Sequence, residues 1–242
     1  MKKIAGIHIL KRLSAAAMGL LLVLPGHAAI IGYQSQSDFN TAISGWSTSA
    51  TNFDGLAAGT TYATDTGPAG SGFTLNLGGG SDGFNLPAVG TGLWTTSGAN
   101  YLGLDNFDSA LEAGDTLTFN FTTAQQAFGL FVIGSHDVQA GDMRLTIGAD
   151  SVVNGAIPYQ TSGLGDFAYF IGLVSDAGAF SSVTLDYATL GIGGLLPIAI
   201  DDVVLALNDG NGGNNPVPEP GTLALMAAGL LVLGLRARKQ AD

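Results

Sequence analysis

Residues 116–122 read Thr-Leu-Thr-Phe-Asn-Phe-Thr, an unbroken alternation of polar and apolar side chains. A period of two is the repeat of a β-strand, whose successive side chains point to opposite faces. Leu117, Phe119 and Phe121 are therefore expected to face inward, and the threonines and Asn120 outward. Residues 127–133 follow after a turn expected around 123–126; they are apolar on both faces, the pattern of a strand covered on two sides. β-branched and aromatic residues between Gly, Asn and Asp turns mark further strands at 143–147, 167–174, 182–187 and 198–207, with shorter candidates at 49–53, 73–77 and 101–104. One helix is expected at 37–43, with Ser37 as N-cap and Phe39 and Ile43 four residues apart on one face. No fixed-period repeat is visible, which excludes a solenoid. Many strands separated by turns imply an all-β class: a single jelly-roll-like β-sandwich, with a closed barrel as the other solution. The 37 glycines suit long loops at the ends of such a sandwich.

The placement of charge narrows the choices further. Of 8 Lys and Arg, four lie before residue 13 and three after residue 235, leaving Arg144 as the only cation between them. Residues 29–219 hold 18 of the 19 acids, so this stretch carries a formal charge of −17. A surface so acidic repels nucleic acid and anionic lipid; it favours solubility and divalent cations. The chain has no Cys, which excludes a disulfide framework, a thiolate nucleophile and a thiolate metal site. The fold must rest on its core alone.

Both ends are built differently from the body. Residues 1–28 have the plan of a secretory signal peptide: Lys2, Lys3, Lys11 and Arg12, an apolar core at 13–24, Pro25, then Gly26-His27-Ala28 with small residues at −3 and −1. Cleavage by signal peptidase is expected after Ala28. At the other end Val217, Pro218, Glu219 and Pro220 form a stiff extended piece. Residues 221–235 contain no charged side chain, and Arg236, Arg238 and Lys239 close the run. A helix of 15 residues is about 22 Å long, short of a hydrocarbon core of about 30 Å. It suits a temporary anchor whose flanking cations snorkel, with the C-terminus in the cytoplasm.

Val217-Pro218-Glu219-Pro220-Gly221, the apolar run and the terminal basic cluster, in that order, resemble the PEP-CTERM sorting signal, a tail also catalogued at the C-terminus of some ice-binding proteins. The resemblance covers residues 216–242. It implies an exported protein of a Gram-negative, exopolysaccharide-producing cell, held briefly in the inner membrane and cut near the Pro-Glu-Pro motif by an exosortase. The chain then divides into a signal peptide (1–28), a β-sandwich extracellular domain (29–207), a Gly/Asn-rich linker (208–215) and the sorting signal (216–242).

Signs of chemistry in the body are sparse. His8 and His27 fall in the signal peptide, so His136 is the only imidazole of the exported part. That count rules out a His-rich zinc site. His136 could join Asp137 or Asp166 in a triad, but a surface-loop histidine is the plainer reading. Glu112 is the only Glu of the domain, which disfavours a glycosidase carboxylate pair. Gly78-Gly79-Gly80-Ser81-Asp82-Gly83 carries an acid and no Lys, unlike a phosphate cradle. Two Asp-bearing stretches, Phe53-Asp54-Gly55-Leu56 and Ile200-Asp201-Asp202-Val203-Val204, look like recurring features of PEP-CTERM exported domains and jelly-roll carbohydrate-binding modules. Strand alternation puts Asp201 on the face of Val203, Leu205 and Leu207, where a carboxylate needs a partner. Arg144 is the one protein charge that could serve; beyond it three readings are open, namely a structural calcium held by Asp54, Asp201 and Asp202, side chains that cap nearby backbone N–H groups, or plain exposure to solvent. For glycan contact, Trp46, Trp94 and Tyr101 are the candidates, with Tyr62 and Tyr159 beside loops as well. The expected function is non-catalytic: a structural or adhesive protein of the exopolysaccharide or biofilm matrix, with a glycan-binding module as alternative and a secreted hydrolase as a distant third.

Overall fold

The computed structural model describes residues 29–79, 86–92, 95–105, 115–134, 138–155, 159–160, 167–176, 178–188 and 198–210. The expected signal peptide, residues 211–215 of the linker and the sorting signal lie outside them. In chain order the elements are β1 (Ile30–Tyr33), α1 (Gln36–Ala42), β2 (Ser47–Thr51), β3 (Phe73–Gly78), β4 (Pro87–Thr91), β5 (Asn100–Leu104), β6 (Thr116–Gln125), β7 (Ala127–Gly134), β8 (Met143–Ile147), β9 (Asp150–Val153), β10 (Tyr159–Gln160), β11 (Phe167–Ser175), β12 (Phe180–Tyr187) and β13 (Ile198–Leu207). Each expected strand is present, with ends moved by a few residues. β1, β4, β9 and β10 were not anticipated: they are short, and β4 begins on Pro87, a residue that suits only the start or edge of a sheet. The helix starts earlier than expected. Its N-cap is Ser35, not Ser37; the Ser35 hydroxyl accepts from the Asp38 N–H at 3.4 Å and places Asp38 in the first turn, where a negative charge is favourable.

The strands form two antiparallel sheets. One runs β1-β11-β7-β13-β5-β4, with β10 added to β11 and β2 added to β13; the other runs β3-β6-β12-β8-β9. The alternation of β6 continues across its sheet: Phe73, Leu75 and Leu77 of β3, Leu117 and Phe119 of β6, Val183 and Leu185 of β12 and Met143 and Leu145 of β8 all turn inward. They meet Phe128, Leu130 and Val132 of β7, Tyr169, Ile171 and Leu173 of β11 and Ile200, Val203 and Leu205 of β13. Aromatic rings tie the two layers together, Phe119 and Phe128 lying 5.0 Å apart between centroids and Phe121 and Phe128 5.5 Å.

The turn expected at 123–126 shrinks to Gln126. The chain leaves one sheet at Gln125, paired with Phe180, and joins the other at Ala127, paired with Val174 and Ala206. Gln126 secures the crossing by donating its N–H to the Ala206 carbonyl at 2.9 Å and accepting from the Ser175 N–H at 2.8 Å.

β7 is buried along its whole length because its sheet has a second core on the outer side. Ala127, Phe131 and Ile133 of β7 and Ala168, Phe170 and Val174 of β11 pack there with Phe39 and Ile43. Gly129 and Gly172 stand opposite each other on these two strands and leave the hollow that Phe39 fills. A Cβ at Gly172 would lie 2.7 Å from Phe39 Cδ2, and one at Gly129 3.1 Å from Phe39 Cε1. Phe39 is fully buried as a result. Among the described residues no helix is long and apolar enough to cross a membrane; the apolar run 221–235 lies outside them.

Candidate functional site: an aspartate junction

β13 has β7 along one side and, on the other, two strands placed end to end: β5 beside Ile200 and β2 beside residues 203–207. The gap between β5 and β2 falls where β13 is bulged. Asp201 pairs with Phe131 and Val204 with Gly129, so two residues of β13 oppose one of β7. Asp202 takes the left-handed conformation, φ 48°. The bulge reverses the alternation expected for this strand. Asp201 shares the face of its cross-strand partner Phe131, which packs in the outer core, while Val203 and Leu205 point into the inter-sheet core.

The loop entering β5 closes over this gap. Asp201 is completely buried. Its Oδ2 accepts the Thr96 N–H at 2.8 Å and the Ser97 N–H at 3.0 Å, and its Oδ1 accepts the Asp202 N–H at 2.8 Å. Thr96 Oγ1 lies 2.7 Å from Asp202 Oδ2 and 3.1 Å from Asp201 Oδ2, and Ser97 Oγ donates to Asp202 Oδ1 at 2.6 Å. From the end of β2, Asp54 Oδ1 accepts the N–H groups of Ala99 and Asn100 at 2.7 and 3.0 Å. Asn100 Nδ2 donates in return to the Leu56 carbonyl at 2.9 Å. Gly98 sits between these anchors at φ 57°, where a Cβ would collide with the Asp54 carboxylate.

The three candidate metal ligands thus converge on one loop, 96–100, and take their hydrogen bonds from backbone N–H and hydroxyl groups. This is the capping arrangement, one of the three open at the level of sequence. Among the described residues no group of three or more His, Asp or Glu side chains is placed to hold a metal ion. Burial pushes the Asp201 carboxyl up to about 6, with a smaller contribution from the neighbouring Asp202 carboxylate; the three N–H donors oppose the shift.

Arg144 is not the partner of Asp201. It points outward from β8 in the other sheet, where register sets it beside Asp186 of β12. Nε and Nη2 reach the two Asp186 oxygens at 2.9 and 2.6 Å, a two-point fork. Tyr101 is likewise corrected as an exposed aromatic. Only 7% of it is accessible, because its ring lies over Gly90, where a Cβ would collide with it. Tyr62 is buried too. Trp46 is half-buried against the outer core. Trp94, Glu112, His136, Asp137 and Asp166 fall outside the described residues, as does the side chain of Tyr159.

Residues 216–239 match the model of the PEP-CTERM protein-sorting motif. The chain carries a PEP-CTERM sorting motif. The motif indicates processing by an exosortase and export to the cell surface or extracellular space. No curated protein matches the PEP-CTERM chain. Among solved structures it is similar to the K2 cleaved adhesin domain of Lys-gingipain, at 13% identity and a TM-score of 0.41 over 66% of this chain and 99% of that one. A mutant family 29 carbohydrate-binding module gives 10% and 0.31 over 66% and 93%. The CBM22-1 xylan-binding domain of Paenibacillus barcinonensis Xyn10C gives 11% and 0.32 over 62% and 95%. These likenesses are distant, and the all-β, two-sheet description rests on the pairings given above.

Proposed function

We propose that this PEP-CTERM protein is a non-catalytic component of the cell surface or extracellular matrix that acts by structure or adhesion within an exopolysaccharide or biofilm. The observation that carries the reading is the sorting motif at 216–239 joined to an acidic, cysteine-free β-domain. The aspartate junction supports a structural role for its carboxylates, since their oxygens are engaged in holding residues 96–100. The sandwich is of the jelly-roll kind in this reading, supported by the passage of the chain between sheets at Gln126. Residues 1–28 are a signal peptide removed after Ala28. Ala29 N lies 2.8 Å from Asp176 Oδ1, a position that suits the ammonium group such a cut would leave. Residues 221–235 anchor the chain in the inner membrane until the exosortase acts.

A second reading, a module that binds the exopolysaccharide, is favoured by Thr74, Asn76, Thr118 and Asn120, which alternate with the inward residues of β3 and β6 and so form a polar outer face on the five-stranded sheet. The test of the main proposal is mass spectrometry of the protein recovered from an exporting Gram-negative host, with and without its exosortase, alongside cell fractionation. The expected result is a surface or extracellular body beginning at Ala29 and ending near Pro220, with the tail retained when the exosortase is absent. A cytosolic body with both ends intact would overturn it.

A further inference from the structure

The five-stranded sheet turns Thr74, Asn76, Thr118 and Asn120 away from the core, and the register aligns these positions into rows across the strands. One row is complete from edge to edge: Asn76 opposes Thr118, Thr118 opposes Thr184, Thr184 opposes Thr146, and Thr146 opposes Ser151. Its members are all hydroxyl or amide side chains, about 4.8 Å apart, and the Thr118 and Thr184 hydroxyls lie 3.0 Å from each other. A shorter row runs Thr74, Asn120, Ser182. In the row that contains charge, Asp186 and Arg144 neutralise each other. No described element packs on this face.

Strand propensity accounts for the threonines and not for the asparagines. Asn is depleted in strands, yet Asn76 and Asn120 occupy interior strand positions on this face. The side chains are also short, and Thr is stiff at χ1, so little conformational entropy is lost when they engage a ligand. The chemistry excludes most partners. Nucleic acid and acidic polymers need cations, and the only cation of residues 29–219 is already forked to Asp186. A tight protein partner or a lipid surface needs an apolar centre, which these rows lack. An uncharged chain rich in hydroxyl groups meets every requirement.

We propose that the outer face of this sheet binds a neutral polysaccharide laid along the Asn76–Thr118–Thr184–Thr146–Ser151 row. The assignment rests on the matrix reading above and names its ligand class. Recognition is by hydrogen bonds without aromatic stacking, so each site is weak and retention at a surface depends on many copies acting together.

Affinity electrophoresis tests this with the exported protein run through gels containing a soluble β-1,4-glucan, a β-1,3-glucan, a mannan, a neutral xylan or alginate. At least one neutral polymer is expected to retard the protein and alginate is not. The double variant Thr118→Ala, Thr184→Ala is expected to weaken retardation roughly fivefold. Ser49→Asp, on the exposed strand β2 of the other sheet, is expected to bind as the unaltered protein does. Circular dichroism melting of each variant separates lost binding from lost folding; where the double variant melts early, Asn76→Asp replaces it and is expected to weaken retardation as well. Retardation by alginate alone, by none of the polymers, or equally in the face variants overturns the assignment. A change in sedimentation in place of retardation overturns it in favour of a second copy of the chain. Should the protein reach the surface in fractionation and yet bind no neutral polymer, only this face is misassigned; a cytosolic protein removes the matrix reading itself.

Discussion

The two sheets present opposite solutions on their outer faces. The β1-to-β4 sheet covers its outer face with α1 and a second apolar core, whereas the β3-to-β9 sheet leaves rows of hydroxyl and amide groups. The difference is written in the two strands that meet at Gln126: β6 alternates, while β7 is apolar throughout. A strand with one wet face needs only every second side chain to be apolar; a strand between two cores needs them all. The covered face also encloses Asp201, the most buried carboxylate of the junction.

The largest effect is expected where the covered face is broken. Phe39→Ala empties the hollow over Gly129 and Gly172 and is expected to cost about 3–5 kcal/mol, measured by urea denaturation of the exported protein. A loss below about 1 kcal/mol would mean that α1 is not a true second layer.

Asp201 comes next. Asp201→Ala removes the acceptor of the half-buried N–H groups of Thr96 and Ser97 and is expected to cost about 1–3 kcal/mol. Its pH dependence has a definite sign. The folded carboxyl titrates near 6, above its ordinary 3.8, so the folded state holds this proton more tightly than the unfolded chain. The contribution of Asp201 therefore makes the protein more stable as pH falls from about 6 towards 4, and Asp201→Asn removes that slope from the melting curve. An unchanged slope in the variant would assign the pH dependence elsewhere.

The exposed face should respond least. Arg144→Ala breaks the fork to Asp186, whose side chains are 37% and 19% accessible, and is expected to cost under about 1 kcal/mol, less in high salt. Smallest of all, Thr118→Val is expected to stay within about 0.5 kcal/mol in denaturation, because the replacement keeps shape and strand propensity. A large loss there would show that the rows serve stability in place of binding.

Much of this contrast was legible from residue order. The alternation at 116–122 and the continuous run at 127–133 announce one half-wet and one enclosed strand, and they are so. The junction was legible only as three suspicious aspartates. Nothing in Asp201-Asp202 signals that the second residue adopts φ 48° and turns the first to the opposite face. Tyr101 looked available because Gly90, which makes room for its ring, lies on another strand and becomes its neighbour through register alone. Arg144 found Asp186 for the same reason. Pairings between distant segments carry no local period, so side-chain partners set by register stay hidden until the sheets are assembled.

The crossing at Gln126 also bears on when this body can assemble. Residues two apart, Gln125 and Ala127, find partners as remote as Phe180 and Ala206, and β13 unites β2, β5 and β7 only after the chain has reached Leu207. Topology of this kind folds slowly, since distant segments must close long loops before any contact rewards them. For an exported chain, a fold that closes on its final strand leaves the body incomplete until residue 207 is free to pair.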